Sequence, residues 1–132
     1  MRSSAASDVY KRQYNVVSAP VAARMALGAA AASGSDIAVS VTGVAGPTGG
    51  DEVRPVGTVY LGAARGDTVY VQKLFVSRPD RALVRARAAQ AALALALRLA
   101  QGKVPAHTKP LAASEQHSAA ALDALNEAFL AE

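Results

Sequence analysis

A glycine- and proline-rich stretch in the middle of the chain limits the fold more than any other feature. Between Thr42 and Pro55, glycine occurs at positions 43, 46, 49 and 50, and proline occurs at positions 47 and 55. Neither a helix nor a strand persists across so many residues that break both kinds of element, so this stretch is expected to be a loop. Regular elements are therefore expected before it and after it.

The residues before this loop predict one helix and one strand. Ser18 followed by Pro20 is typical of a helix start, because the hydroxyl caps free backbone N–H groups and proline lacks a donor that the first turn leaves unbonded. The pair Ser33-Gly34 predicts the end of this helix, because glycine readily adopts the left-handed C-cap conformation. Ile37 to Thr42 is apolar and β-branched at most positions, which predicts a strand that is covered on both faces and central in its sheet.

The residues after the loop predict a hairpin and a long helix. Val56 to Ala64 and Thr68 to Val76 are rich in strand-forming residues, and the short link between them requires antiparallel neighbours. Ser77 and Asp80 predict a capping box at the start of a helix that continues to about Ala100. The predicted packing stripe of this helix consists of Leu83, Gln90, Leu93 and Leu97.

The end of the chain predicts a linker and a short helix. Gly102 and the prolines at 105 and 110 break the helical pattern, so Gln101 to Pro110 is interpreted as a linker. Ser114 predicts the cap of a final helix. Apolar residues recur in that helix at helical spacing, at Leu122, Leu125 and Phe129.

The length of 132 residues and the 52% hydrophobic content suit one compact domain, in which abundant alanine favours close helix packing. Residues 1–13 show no periodicity and lack the apolar segment of a secretory signal, so we interpret them as a disordered leader or a sequence artefact. The domain is then expected to cover residues 14–101, and residues 102–132 form the linker and C-terminal helix.

Composition excludes several kinds of function. The chain has no cysteine, which excludes disulfides, thiolate metal sites and a cysteine nucleophile, and no metal or other cofactor is expected. The net charge is +4, but the basic residues are dispersed and no aromatic residues interleave with them, so nucleic-acid binding ranks last among the functions considered. The apolar run Ala88 to Leu97 is far shorter than the roughly 20 residues of a membrane-spanning helix. We expect a soluble, cytoplasmic protein without a membrane partner.

The turn Thr42 to Pro47, with the sequence T-G-V-A-G-P, is the candidate site with the most chemical content. Glycines at the end of a buried strand let backbone N–H groups approach an anion or a planar ring closely, and ligands commonly bind at strand ends. The spacing is neither that of a dinucleotide-binding fingerprint nor that of a P-loop. A plain connecting loop therefore stays an equal alternative.

Other polar residues give weaker signals. Asp51 and Glu52 are candidate general acids or bases, although adjacent carboxylates beside an arginine are more typical of a solvated face. Arg78, Arg81 and Arg85 gather at the predicted helix start and could clamp a phosphate, and here too a solvated face is the preferred interpretation. No role is assigned to His107, His117, Tyr60 and Tyr70.

Several segments together resemble the C-terminal domain family of the competence-damage-inducible protein CinA. In chain order they are Val16-Val17-Ser18, Pro20-Val21-Ala22, Asp36 to Pro47, Val56 to Tyr60, Phe75, Arg78, Arg81, Val84-Arg85 and Ala88 to Leu93. The resemblance extends from about Val16 to Ala100. The T-G-V-A-G-P turn and the V-G-T-V segment that follows it are its most specific parts.

The resemblance implies an α/β fold with a mixed sheet flanked by helices. It also implies hydrolysis of the carboxamide of nicotinamide mononucleotide to ammonia and nicotinate mononucleotide, in pyridine nucleotide salvage. The family's nucleophilic serine lies in a Ser-Cys-Thr-Gly-Gly segment upstream of the similar part, and this sequence contains no such segment. The chain is therefore expected to be a truncated domain, incomplete at its N-terminal side, with no catalytic residue and no activity alone.

What the resemblance carries over is one wall of the substrate site. Its residues match the family's turn, and Arg81 matches a phosphate-binding position more loosely; the turn residues are Thr42, Gly43, Ala45, Gly46 and Pro47. Backbone N–H groups of such a turn are suited to stabilise the developing oxyanion of an amide. The expected partner is a small-molecule nucleotide, and a homo-oligomer stays open. The alternative function is a noncatalytic nucleotide-binding or protein-interaction module, and the upstream coding sequence decides between the two.

Overall fold

The computed structural model describes residues 14–78 and 80–132, so the predicted leader 1–13 lies outside the described residues. The described residues form three helices, four strands and a short 3₁₀ helix. In order they are α1 (Ala19–Ser33), β1 (Ile37–Gly43), β2 (Thr58–Arg65), β3 (Thr68–Phe75), α2 (Arg81–Ala100), β4 (Lys109–Ala112), the 3₁₀ helix Ala113–Glu115 and α3 (Ala119–Leu130). The predicted α/β class is confirmed.

Helix α1 begins and ends where the sequence predicts. The Ser18 hydroxyl accepts a hydrogen bond from the N–H of Val21, and Pro20 lies in the first turn. At the other end Gly34 adopts φ +68° and donates its N–H to the carbonyl of Ala30, as in a glycine C-cap. Both signals are local, which is why the sequence alone was sufficient to find them.

The sheet has the order β1-β2-β3-β4, and all three strand pairings among the described residues are antiparallel. The predicted hairpin is confirmed, with β2 and β3 joined by a tight link in which Gly66 has φ +62°. The central position predicted for Ile37 to Thr42 is wrong, because β1 lies at the edge and β2 is the strand buried along almost its whole length. The apolar character of β1 reflects helices on both of its faces, and not a second neighbouring strand.

Helices on the two faces of the sheet enclose two apolar cores. One core, between the sheet, α1 and α3, includes Tyr60, Val71 and Leu122. The other lies between the sheet and α2 and includes Leu61, Val84 and Leu95. A sheet flanked by helices on both faces is therefore confirmed.

Helix α2 differs from its prediction at its start and in its packing face. Its cap is Asp80, whose carboxylate accepts from the N–H of Leu83, and not Ser77. The predicted stripe is wrong, because Leu93 is 72% exposed. The buried residues instead are Val84, Ala88, Leu95 and Leu99. Apolar residues occur on every side of this helix, and the face with the small Ala88 allows the closest approach to the sheet.

The tail is part of the sheet, whereas Gln101 to Pro110 was predicted to be a linker. β4 begins at Lys109 and pairs with β3, where Pro110 is tolerated because an edge strand leaves backbone donors unused. Ser118, and not Ser114, caps α3. The predicted apolar stripe of this helix is confirmed, since Leu122, Leu125 and Phe129 are all buried.

Polar contacts also join the tail to α1 and to the segment before it, and sequence reasoning did not find them. The buried Arg24 donates from Nη1 to Gln116 Oε1 at 2.5 Å, and the Tyr14 hydroxyl donates to Asp123 Oδ1 at 2.5 Å. Each contact joins residues about a hundred positions apart in the chain, so no local pattern could have indicated it.

We predict that the same substitution lowers stability strongly at one leucine of α2 and only slightly at another. Leu95 is 3% exposed, so Leu95→Asp buries an unpaired charge and is expected to lower the free energy of unfolding by about 3 kcal/mol or more. Leu93→Asp carries the same cost in helix propensity but leaves the charge in water, so its effect is expected to stay within about 1 kcal/mol. Urea denaturation of both variants tests this, and equal losses would contradict the assigned packing face.

A second pair of variants tests whether the tail belongs to the core. Leu122 is fully buried, so Leu122→Ala is expected to cost about 2–5 kcal/mol of unfolding free energy. Leu130→Ala in the same helix removes a half-exposed side chain and is expected to cost less than about 1 kcal/mol. If thermal melts show both variants to be as stable as the parent, α3 does not pack as described.

Candidate functional site

The candidate turn lies where β1 leaves the sheet and enters the loop that leads to β2. Gly43 ends β1, and the N–H of Val44 still donates to the carbonyl of Thr58 at 2.8 Å. The carbonyl of Val44 accepts from the N–H of Gly57 at 2.7 Å, which closes the base of the loop. The turn is thus held at the end of the sheet by backbone hydrogen bonds.

Glycine at position 46 is required by packing inside the loop. Gly46 is buried with φ +85°, and a Cβ atom at this position would lie 2.5 Å from Cγ1 of Val56. Gly43 is similarly restricted, since a Cβ there would lie 2.9 Å from the carbonyl oxygen of Thr58. Close approach of a ligand was the predicted reason for these glycines, whereas an internal cause is sufficient for both.

The backbone N–H groups of Ala45 and Gly46 differ from those at the base of the loop. Within residues 14–78 and 80–132, neither of them donates to a backbone carbonyl. Ala45 is half-buried, and Pro47 beside them is exposed. Donors of this kind are what an anion or a developing oxyanion would require.

Arg81 is brought to this turn by the start of α2. Its Nη1 donates to the carbonyl oxygen of Gly46 at 3.1 Å, while the remainder of the side chain is exposed. A guanidinium has five N–H donors, so this contact leaves donors for a phosphate. Arg81 and Gly46 are therefore adjacent, although they are far apart in sequence.

The other predicted site residues are not all directed toward this place. The hydroxyl of Thr42 donates to the carbonyl of Val16 at 2.8 Å, so it positions the segment before α1. Asp51 accepts from the N–H groups of Val53 and Arg54 and stabilises its own turn. A structural role thus accounts for the Asp51 carboxylate.

Sequence reasoning missed the role of Arg54, which fastens the loop to the segment before α1. Its Nε donates to the carbonyl of Val17 at 2.5 Å and its Nη2 to the carbonyl of Tyr14 at 3.1 Å.

Burial raises the pKa of the nearby Tyr60. The positive charge of Arg54 partly opposes this rise in the pKa, and Glu132 adds to it. The phenol therefore stays neutral near neutral pH, consistent with a packing role.

The described residues also form a concave surface away from the turn. One open cavity of about 590 Å³ is lined by residues at the hairpin end of the sheet, including Asp36, Arg65 and Gly66.

Among the described residues, no group of three or more His, Asp or Glu side chains could hold a metal ion. None of the described helices is long and apolar enough to cross a membrane. At the turn itself Gly43 and Pro47 are exposed, as is Arg81, whereas Gly46 is buried.

The packing of Gly46 predicts the effect of a small substitution. Gly46→Ala places a methyl group against Val56 in a left-handed conformation and is expected to cost about 2–4 kcal/mol of unfolding free energy. Gly49→Ala is the matched control, since Gly49 has φ +97° but has its nearest foreign atom at 3.8 Å.

The double variant Gly46→Ala with Val56→Ala removes the atom that the new methyl group would meet. Chemical denaturation should therefore show the double variant to be less destabilised than the sum of the two single variants. Strict additivity, or equal costs at positions 46 and 49, would contradict the packing explanation.

Comparison with known proteins identifies the family. The model of the CinA C-terminal domain matches residues 6–100. Like the resemblance seen in the sequence, the match ends at Ala100, but it begins before Val16. It includes the turn and Arg81.

Two curated relatives have the same name. The nicotinamide-nucleotide amidohydrolase PncC of Enterobacter agglomerans is 46% identical over 86 residues, which cover 65% of this chain and 52% of that protein. The protein of that name from Escherichia coli K12 is 45% identical over 83 residues, which cover 61% of this chain and 49% of that protein. The chain thus spans about half the length of these relatives.

Solved structures have the same fold. A CinA superfamily protein of Escherichia coli superposes with a TM-score of 0.64 at 34% identity, covering 69% of this chain and 52% of that chain. The competence damage-inducible protein A of Klebsiella pneumoniae gives a TM-score of 0.63 at 32% identity, with 70% and 57% covered. Sequence match and fold agree, and the chain belongs to the CinA C-terminal domain family.

Proposed function

We propose that this chain is the nucleotide-binding part of a nicotinamide-nucleotide amidohydrolase. The observation that carries the proposal is the family match across residues 6–100, together with 46% identity to a relative named for that activity. The substrate is nicotinamide mononucleotide, and the products are ammonia and nicotinate mononucleotide. A place in cytoplasmic pyridine nucleotide salvage belongs to the same proposal.

The proposed binding mode uses the wall formed by the turn and Arg81. The phosphate of the nucleotide is bound by the donors of Arg81 that Gly46 does not use. The carboxamide lies along the turn, where the N–H groups of Ala45 and Gly46 are directed to its oxygen. Thr42, Gly43 and Pro47 complete the wall by shaping the backbone on either side.

Hydrolysis also requires a nucleophile, which attacks the carboxamide carbon while nitrogen leaves as ammonia. The sequence contains no Ser-Cys-Thr-Gly-Gly segment, and the described residues place no serine with a neighbouring base at the turn. We therefore assign this chain binding and orientation of the nucleotide, and assign bond breaking to a segment that it does not contain.

A noncatalytic nucleotide-binding module is the second candidate. Gly46 packs against the loop, and Asp51 accepts hydrogen bonds within it, so both residues stabilise the loop. This favours the second candidate, because such a loop does not need catalytic partners. The two candidates agree on binding and differ on chemistry. To separate them, a nucleophile-bearing segment from a relative is added in trans and the release of ammonia is measured. Only the amidohydrolase part is expected to gain activity.

The proposal predicts binding without turnover by the full chain. Calorimetric titration with nicotinamide mononucleotide is expected to show binding, and an ammonia assay is expected to show no release above the blank. Turnover by this chain alone would contradict the assignment of bond breaking to another segment.

A matched pair of arginine variants tests the phosphate contact. Arg81→Ala removes a charge-assisted hydrogen bond and is expected to weaken nucleotide binding about tenfold or more. Arg87→Ala removes an equal charge from the exposed side of the same helix and is expected to leave affinity within about twofold. Equal affinities of the two variants would mean that Arg81 does not contact the phosphate.

A further inference from the structure

Both ends of the loop that carries the candidate turn are tied to the segment before α1, residues 14–17. At the start of the loop, the hydroxyl of Thr42 donates to the carbonyl of Val16 at 2.8 Å. Near the end of the loop, the side chain of Arg54 donates to two more carbonyls of the same segment. The position of the loop therefore depends on the position of this segment.

The segment has a turn of its own. Asn15 adopts φ +77°, a left-handed conformation that asparagine tolerates better than most residues. Its Oδ1 accepts from the N–H of Val17 at 2.9 Å, and its carbonyl accepts from the hydroxyl of Ser18 at 2.9 Å. The same Ser18 hydroxyl caps α1. The carbonyls that hold the loop are thus carried by a turn that is continuous with the start of α1.

The C-terminal tail holds the other end of this segment. Tyr14 is buried in the same apolar core as Leu122 of α3, and its hydroxyl donates to Asp123 Oδ1 at 2.5 Å. The backbone carbonyl of the same tyrosine accepts from Nη2 of Arg54 at 3.1 Å. One residue therefore contacts both α3 and the loop. Helix α3 lies outside residues 6–100, which match the family.

Contacts inside the loop connect Arg54 to the candidate turn. The N–H of Arg54 donates to Asp51 Oδ1 at 2.6 Å, and its carbonyl accepts from the N–H of Asp51 at 3.1 Å. Two residues after Arg54, Val56 packs on Gly46 so closely that a Cβ atom at position 46 would lie 2.5 Å from its Cγ1. The carbonyl of Gly46 accepts from Arg81. A shift of Arg54 is therefore expected to displace the turn.

We propose that Tyr14 is a positioning residue for the candidate turn, and that the tail orders the turn through the hydrogen bond between Tyr14 and Asp123. When this bond is made, the Tyr14 carbonyl stays within reach of Arg54, and the loop keeps the conformation that presents the N–H groups of Ala45 and Gly46. When it is broken, the segment and the loop are released together. The order of the loop is independent of the proposed function, and only the effect on nucleotide affinity rests on it.

Amide hydrogen exchange of the full chain tests the proposal without a ligand. Tyr14→Phe keeps the buried ring and is expected to speed exchange about fivefold at Val44 and Gly57, whose N–H groups close the base of the loop. Leu99→Ala is the control, because it lowers overall stability from the opposite face of the sheet and is expected to leave these two amides unchanged. Unchanged exchange in Tyr14→Phe would overturn the proposal, as would an equal rise in both variants.

A double-mutant cycle isolates the hydrogen bond from the other contacts of Tyr14. Tyr14→Phe and Asp123→Ala are each expected to speed exchange at Val44 and Gly57, and the double variant is expected to be no faster than either single variant. Asp123→Asn retains an acceptor oxygen and is expected to stay within about twofold of the parent. Glu127→Ala removes an exposed carboxylate one turn further along α3 and should match the parent. Strictly additive effects in the cycle would overturn the proposal.

Titration with nicotinamide mononucleotide separates this proposal from the proposed function. If the parent binds the nucleotide, Tyr14→Phe is expected to weaken affinity about fivefold, and Glu127→Ala is expected to leave it within about twofold. Equal affinities of Tyr14→Phe and the parent would overturn the positioning role. A parent that does not bind contradicts the proposed function instead, and the exchange rates at Val44 and Gly57 then decide on the role of Tyr14.

Discussion

The contact between α1 and the centre of the sheet depends on the absence of a side chain at Gly62. A Cβ atom there would lie 2.4 Å from the carbonyl oxygen of Ala22, so any other residue would push the helix away from β2. The same carbonyl accepts a hydrogen bond of 2.6 Å from the hydroxyl of Ser40 on β1. The helix is therefore held against two strands at once. Its alanine-rich face makes this close packing possible and leaves β2 almost fully buried.

The candidate site follows from this arrangement, because a fixed β1 determines where its loop begins. The N–H of Val44 donates to the carbonyl of Thr58 and the N–H of Gly57 donates to the carbonyl of Val44, which holds the base of the loop. Arg54 fastens the loop to the segment before α1. With the loop fixed, the first residue of α2 reaches Gly46 and adds a guanidinium to the turn. The glycines that the sequence offers as ligand contacts are needed first for the loop itself. The proposed nucleotide site is thus built on a turn with an independent structural reason to exist.

Sequence reasoning succeeded where the cause is local and failed where it is distant. The limits of α1 depend on Ser18 and Gly34 themselves, and the hairpin depends on a tight link, so both were predictable. The packing face of α2 is chosen by the sheet among several apolar faces, and the edge position of β1 depends on which strands pair. At the site, the turn was recognisable from its glycines. The hydrogen bonds of Arg81 to Gly46 and of Arg54 to Val17 join distant residues, so only the folded chain shows them.

The central claim is that the turn and Arg81 bind a nucleotide, and residue-resolved NMR tests it most directly. Nicotinamide mononucleotide would be titrated into isotope-labelled full chain while the backbone amides and the arginine Nε–H signals are followed. The account predicts that the largest saturable shifts occur at Ala45, Gly46 and the Arg81 side chain. Shifts concentrated around Asp36 and Gly66, at the cavity on the hairpin end of the sheet, would contradict it, and so would a spectrum that does not change.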